Sequence, residues 1–419
     1  MTELLHAIWL SLSCTPGTES FAKLLSRFST AEEIFAADDD KIAACIGSKS
    51  RDFDSLRNKN TEEAERILDF CQSKNVGILT YFDEKFPQSL RKIKNPPVLL
   101  YYRGTLPDFN SAFLASIVGT RKLSSYGRKH TFSLASDLAS AGAVIVSGMA
   151  IGIDGVALAG AVSANMPTVA IIGSGIDVCY PMQHKRLARE IVKRGCVMTE
   201  FAPGTRPEKY NFPVRNRIIS ALSEITLVIE GSERSGALIT ARRAFEQGKT
   251  VYAFPGNVGN VNSQATILLL KNGAKAFTSA DDIVRDFENE VPVRLNPFKL
   301  SPDAHIHMYS VLRELEVSCV AIDDAVFNSR PTAAKRENTP LKESCEECKE
   351  SEPDGEIKVS SAFDKRTVQL YKKIPMDSDC SLEELIDENY TLREVMQILL
   401  RLEIARFVTM LPGDRVKRT

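Results

Sequence analysis

Six apolar runs recur roughly every 25 to 30 residues through the middle of the chain: "FLASIVG", "AVIVSG", "TVAIIGSG", "CVMTEF", "EITLVIEG" and "TVYAFPG", beginning at Phe113. Most close on a glycine, and helical patterns such as "GRKHTFSLASDLASAG" and "SGALITARRAFEQG" separate them. Runs that are apolar on both faces belong to strands buried on both sides, and helical crossovers make neighbouring strands parallel. The pattern therefore predicts an α/β chain with a doubly wound, extended Rossmann-like parallel sheet. Ligands of such sheets bind outside the carboxyl ends of the strands, where these glycines fall.

Around this centre the chain divides into four parts. Residues 1–75 read as short helices, a helical N-terminal domain of SAM or helix-hairpin-helix type, with a Pro16-Gly17 turn and an apolar pattern at Phe21, Leu24, Leu25 and Phe28. Residues 76–319 hold two further strand-like runs, "GILTYF" and "PVLLYYRG", and then the sheet. Residues 320–362 read as a disordered acidic linker, since 343–356 carry seven acids against one lysine. Residues 363–419 regain helical periodicity and end in a hairpin around Pro412-Gly413-Asp414, which predicts a small winged-helix-like domain.

Composition narrows the function. The 43% hydrophobic and 26% charged fractions are those of a globular protein, no run spans a membrane, and the first twenty residues lack the basic start of a secretion signal. Nine cysteines without framework spacing suit a reducing cytoplasm, and Cys345 with Cys348 reads as a chance pair, since zinc needs four ligands. Net charge is −1, yet Gly119 to Arg217 holds 13 Lys and Arg against 6 Asp and Glu. That local excess permits an anionic partner.

Five stretches carry candidate site residues. In "SIVGTRKLSSYGRK", a strand ends at Gly119, Thr120 and Arg121 follow, and a helix opens past Ser124 near Tyr126 and Gly127; the turn is a phosphate cradle or a plain capped turn. It is not GxGxxG, which disfavours a dinucleotide. In "SGMAIGID", Gly148 and Gly152 permit close backbone approach, and Asp154 caps a helix or holds a hydroxyl. In "GSGIDVCYPMQHKR", Gly173 and Gly175 end a strand, and Lys185 opens a helix whose cations either face solvent or await an anion. In "NFPVRNRIISAL", Pro213 is expected to break the backbone and set Arg215, Asn216 and Arg217 at a helix start beside Phe212. A stacking face beside two planar forks suits a phosphate and its base, the competing reading being ion pairs with Glu200 or Glu230. In "SGALITARRA", Ser235 and Gly236 open an anion-accepting helix, with Thr240 one turn in. No Ser-His-Asp set, Cys-His pair or metal cluster accompanies them, so the constellation predicts binding rather than catalysis, with no cofactor.

Taken in order, "GTRKLSSYG", "SGMAIGID", "GSGIDVCYP", "FPVRNRII", "SGALITARRA" and "FPG" resemble the motifs of the DNA-processing protein family DprA, also called Smf. Each is weak alone; six in sequence over about 140 residues are specific. The resemblance implies a cytoplasmic protein that binds single-stranded DNA without hydrolysing it, helps load RecA recombinase during natural transformation, and forms a homodimer through its sheet domain. It places the phosphate-gripping arginine of the first loop at Arg121 and the arginine pair at Arg215 and Arg217. Departures stand at Leu158, where histidine is common, and at Ala265-Thr266-Ile267, where Gly-x-Asn is usual. The alternative is a nucleotide enzyme of the phosphoribohydrolase type on a related fold; "SGALITARRA" lacks the carboxylate which that chemistry needs one turn after the threonine. A nucleotide-sensing regulator using Arg415, Lys417 and Arg418 is a further reading.

Overall fold

A computed structural model describes residues 2–288, 294–296, 307–317 and 320–321, and in the C-terminal part 365–375, 380–385, 390, 394–395, 398–399, 402, 407–411 and 415–418. The chain forms two compact units, Met1–Pro331 and Thr332–Thr419. The larger begins with helices α1 (Thr2–Ser13), α2 (Ser20–Leu25), α3 (Ala31–Ala36), α4 (Asp39–Ile46), α5 (Phe53–Arg57) and α6 (Glu62–Ser73). Local chemistry sets their starts. Thr30 accepts the Glu33 amide at 3.1 Å to cap α3, and Asp38 accepts the Lys41 amide at 2.9 Å to cap α4.

The sheet follows as β1 (Gly77–Thr80), α7 (Gln88–Arg91), β2 (Leu99–Gly104), β3 (Leu114–Val118), the two-residue β4 (Lys122–Leu123), α8 (Ser125–Ser140), β5 (Val144–Ser147) and α9 (Ile153–Ser163). It continues with β6 (Thr168–Ile171), α10 (Lys185–Arg194), β7 (Cys196–Thr199), α11 (Asn211–Leu222), β8 (Ile225–Val228) and α12 (Gly236–Glu246). The last elements are β9 (Thr250–Ala253), α13 (Gln264–Lys271), β10 (Lys275–Ala276) and α14 (Ala280–Asp286). The nine strands order as β1-β2-β7-β6-β5-β3-β8-β9-β10; the β1–β2 and β2–β7 pairs are antiparallel and all the others are parallel. The expected doubly wound parallel sheet is therefore present.

Both sheet faces are covered, which is why the strands read as unbroken apolar runs. Ala115 and Ile117 of β3 pack with α8, α9 and the N-terminal helices in one cluster, while Leu114 and Val118 pack with α11 and α12 in the other. The N-terminal helices thus share their core with the sheet. From β3 the chain steps out through β5, β6 and β7, then returns through α11 to β8 on the other side of β3. Strand order reverses between β3 and β8, and the loops leaving those two strands diverge to opposite faces. This is the crevice where a doubly wound sheet places its ligand.

One boundary differs from the reading of the sequence. Val320 and Ala321, assigned to the linker, form a short strand parallel to Lys122–Leu123; two residues are too few to show a periodicity that could announce such a pairing. Residues 322–364, with Cys345, Cys348 and the acidic run, lie outside the described residues. In the smaller unit a helix at Lys365–Lys373 and another at Leu382–Leu385 accompany an antiparallel sheet ordered Cys380–Ser381, Arg415–Arg418, Val408–Leu411. Leu370, Ile374, Leu399, Leu402, Val408 and Val416 form its own core. The hairpin tip at 412–414 lies outside the described residues.

Candidate functional site

The loop leaving β3 is fixed by an acid at the end of β8. Thr120 donates its amide to the Glu230 carbonyl at 2.8 Å. Ser124 accepts the Gly127 amide at 2.9 Å as the cap of α8, and gives its own hydroxyl and amide to the Glu230 carboxylate at 2.5 and 3.0 Å. Asn262 reaches the same carboxylate at 3.4 Å and the Lys122 carbonyl at 3.0 Å. A Cβ on Gly127 would lie 2.4 Å from that carboxylate. Ser124 and Gly127 therefore face inward and hold the loop, because a buried carboxylate must find donors. Their expected contact with a ligand is corrected to this internal role.

Arg121 stays outside the clamp. It is exposed at the loop tip, with its guanidinium 5.4 Å from the Phe212 ring centroid. Arg215 approaches the same ring at 5.9 Å but is buried, donating to the carbonyls of Gly148, at 2.8 Å, and Ile171. Burial pulls its guanidinium down to about 10, Asp154 opposing and Arg121 adding to the effect. Burial likewise pushes the Asp154 carboxyl up to about 6, against the pull of Arg215, Arg121 and the amides of Gly119 and Gly148. Gly148 runs between these two groups: a Cβ there would lie 2.6 Å from the Asp154 carboxylate and 2.7 Å from the Arg215 guanidinium. Gly152, at φ +94°, presses on the first loop, where a Cβ would come 2.3 Å from the Thr120 carbonyl.

Helix α11 differs from expectation. Pro213 does not break it; the helix already starts at Asn211, and proline is tolerated in a first turn whose amides have no partner in the helix. Arg215 and Arg217 thus sit within the helix, about 200° apart around its axis. Arg217 turns away from Phe212 and forms a buried ion pair with Glu200. Its anion is internal, and the expected place for Arg217 beside Arg215 is corrected accordingly.

These elements enclose a cleft of about 630 Å³ at the β3–β8 crevice. Gly119, Thr120 and Arg121 form one wall, Asp154 the floor, Phe212, Arg215 and Asn216 the second wall, and Ser235, Gly236 and Thr240 the third. Ser235 caps α12, accepting the Ala237 amide at 3.3 Å, and a Cβ on Gly236 would meet nothing within 4 Å. An open helix start of this kind presents amides and a positive dipole end to an anion. Tyr180 and Lys209 also line the cleft and were not singled out from the sequence; Lys209, three residues before Phe212, was the legible one. Arg121, Lys209 and Arg215 face a single carboxylate, Asp154, among the lining residues.

The other expected residues lie elsewhere. Tyr126 is exposed and packs at a tilt against His130, the ring centroids 4.3 Å apart. Gly173 backs the Phe212 ring, where a Cβ would lie 3.1 Å away, and Gly175 packs on the Ala202 carbonyl. Lys185 opens onto a separate cleft with Arg103 and Arg189, because α10 starts on the far side of the Tyr180 turn. Leu158, Ala265 and Thr266 are buried in the core, so the departures at these positions alter packing and not the cleft lining. No group of three or more His, Cys, Asp or Glu able to hold a metal occurs among the described residues. No helix there is long and apolar enough to cross a membrane.

The family described as DNA recombination-mediator protein A matches residues 77–288, from β1 to the end of α14. The chain belongs to this family. It is 36% identical to the DNA processing protein DprA of Bacillus subtilis (strain 168) over 233 residues, which cover 56% of this chain and 78% of that one. Identity to the DNA processing protein DprA of Streptococcus pneumoniae is 40% over 227 residues, 54% of this chain and 79% of the relative. The X-ray structure of DNA processing protein A from Streptococcus pneumoniae aligns with a TM-score of 0.56 at 34% identity, covering 65% of this chain and 94% of that one. All walls of the cleft fall inside the span that the family matches.

Proposed function

We propose that the chain binds single-stranded DNA in the β3–β8 cleft, gripping phosphates without cleaving them. The observation that carries this is Arg121, exposed over the face of Phe212 with Arg215 behind the same ring. A planar fork beside an aromatic face offers a phosphate and its base one contact each. The start of α12 supplies amides on the facing wall. Asp154 accepts two backbone amides and lies beside Arg215, which makes it a buttress of the site.

The wider role rests on family membership and the motifs: loading of RecA recombinase onto the bound strand, a homodimer, and a cytoplasmic setting. With it we propose a helical region at 1–75 that shares its core with a sheet domain running from 76 to the short strand at 320–321, and a winged-helix-like domain at 363–419.

Fluorescence anisotropy with labelled single-stranded and duplex oligonucleotides tests the reading. Wild type is expected to prefer the single strand, with steep salt dependence. Arg121→Ala is expected to weaken binding to all sequences alike and lower the salt slope by about one. An unchanged slope in the folded variant would move the site away from the cleft.

A further inference from the structure

Two more clefts open at the opposite edge of the sheet. One, of about 640 Å³, is lined by Lys23, Arg27 and Lys94; the other, of about 910 Å³, by Lys92, Lys94 and Lys249. They share Glu19 and Lys94 and so form one surface. Lys249 immediately precedes β9, which places this surface at the amino ends of the strands, whereas Arg121 lies at the carboxyl ends. Helix α12 connects the two. It starts at Gly236 in the Arg121 cleft and ends at Glu246 on the basic edge, a span of about 16 Å for eleven residues.

The charge here is not taken up by close ion pairs; Arg27 acts at longer range on Asp38, which Lys41 holds at 2.7 Å. Among the described residues none of Lys23, Arg27, Lys92, Lys94 and Lys249 takes part in an ion pair. Of the two acids lining the surface, Glu246 is taken by Arg243 at 2.9 Å, which leaves Glu19. Burial lowers the Lys249 ammonium from its usual range; Glu224 opposes and Lys92 adds to the effect. Glu224 is itself held by Arg294 at 2.5 and 2.6 Å. Lys249 and Lys92 repel, and Glu224, the acid that acts on Lys249, is engaged by Arg294, which favours an outside anion.

The lining also says which anion. No aromatic residue lines either cleft, so there is neither a stacking platform for bases nor an aromatic anchor of the kind that centres protein interfaces. Flexible ammonium groups remain, and these bind phosphates as point charges without reading sequence. We propose that this basic edge is a second nucleic-acid contact, holding the phosphate backbone of the strand whose neighbouring segment occupies the Arg121 cleft. The proposal rests on the reading of that cleft as a single-strand site.

The test uses the full chain and two labelled thymidine oligonucleotides, one of roughly 6 nucleotides to fill a single site and one of roughly 30 to reach both. Lys23→Ala, Lys92→Ala and Lys94→Ala are combined in one variant, all three side chains being exposed. Its affinity for the long oligonucleotide is expected to fall about tenfold or more with a salt slope lower by about two, while the short one binds within about twofold of wild type. Unchanged affinity and slope on the long oligonucleotide would overturn the proposal and point the edge toward an acidic protein. Equal losses on both oligonucleotides would overturn it too, since the two clefts would not be separate contacts. Arg121→Ala run alongside keeps the two readings apart: short-oligonucleotide binding that it leaves intact counts against the first cleft, and the long oligonucleotide still judges the second.

Discussion

Asp154 and Arg215 show how a residue can be electrostatically uncomfortable for the sake of a site. Each is buried near the other, yet burial outweighs their attraction and moves both away from their charged forms. The Asp154 carboxyl lies at about 6 against an ordinary 3.8, so the folded chain holds this proton more tightly than the unfolded one. Its stabilising contribution is full below about pH 4 and is lost as pH rises through about 6. Between pH 7.5 and pH 5 the group is therefore expected to add on the order of 1 kcal/mol of stability. Asp154→Asn removes that increment. Urea midpoints of the two proteins at both pH values check it, and equal pH responses would show that Asp154 titrates normally. The sequence makes Asp154 legible as a helix-start acid, since "GID" opens α9. It does not reveal the proton, because burial comes from the packing of three loops.

At the scale of the element, α11 does two jobs with two arginines. One face carries Phe212 and Arg215 into the cleft, and the other docks Arg217 on Glu200 beside the N-terminal helices, where Val214 also meets Gly17. Arg217→Ala strands a buried carboxylate and is expected to cost about 3 kcal/mol or more in a urea melt. Its salt slope for DNA is expected to remain that of wild type under conditions where it is folded, since Arg217 is neutralised internally. Arg121→Ala should do the reverse, lowering the slope with little effect on the melt. A slope reduced equally by both would return Arg217 to the site. Periodicity shows that the two side chains oppose each other, but not what each faces. The Glu200 partner sits 17 residues upstream at the end of β7, and only the order of β7 in the sheet brings it under α11. The strands themselves were legible for a simpler reason: β3, β5, β6 and β8 are buried throughout, so each reads as an apolar run.

For the whole molecule, what matters is where cores are shared. The N-terminal helices bury Ile8, Trp9 and Phe21 in the same cluster as Ala115 and Ile117 of β3, whereas the smaller unit closes around Leu370, Leu402 and Val416 alone. Composition marks the acidic stretch at 343–356 but is blind to this distinction, because short amphipathic helices look alike whether they pack on a sheet or on each other. Removal of residues 332–419 is thus expected to leave the thermal transition of the larger unit within about 4 °C, the shift that about 1 kcal/mol produces at most in a unit larger than 150 residues. Affinity for the short oligonucleotide is expected to stay within about twofold. Truncation of residues 2–73 is expected to do the opposite, exposing one face of the sheet and losing the cooperative transition altogether. Calorimetry of the two truncated chains decides between shared and separate cores. A smaller unit whose loss unfolded the larger would place part of the sheet's stability in the tail, and the cleft around Arg121 could then no longer be treated as a property of the sheet and its loops alone.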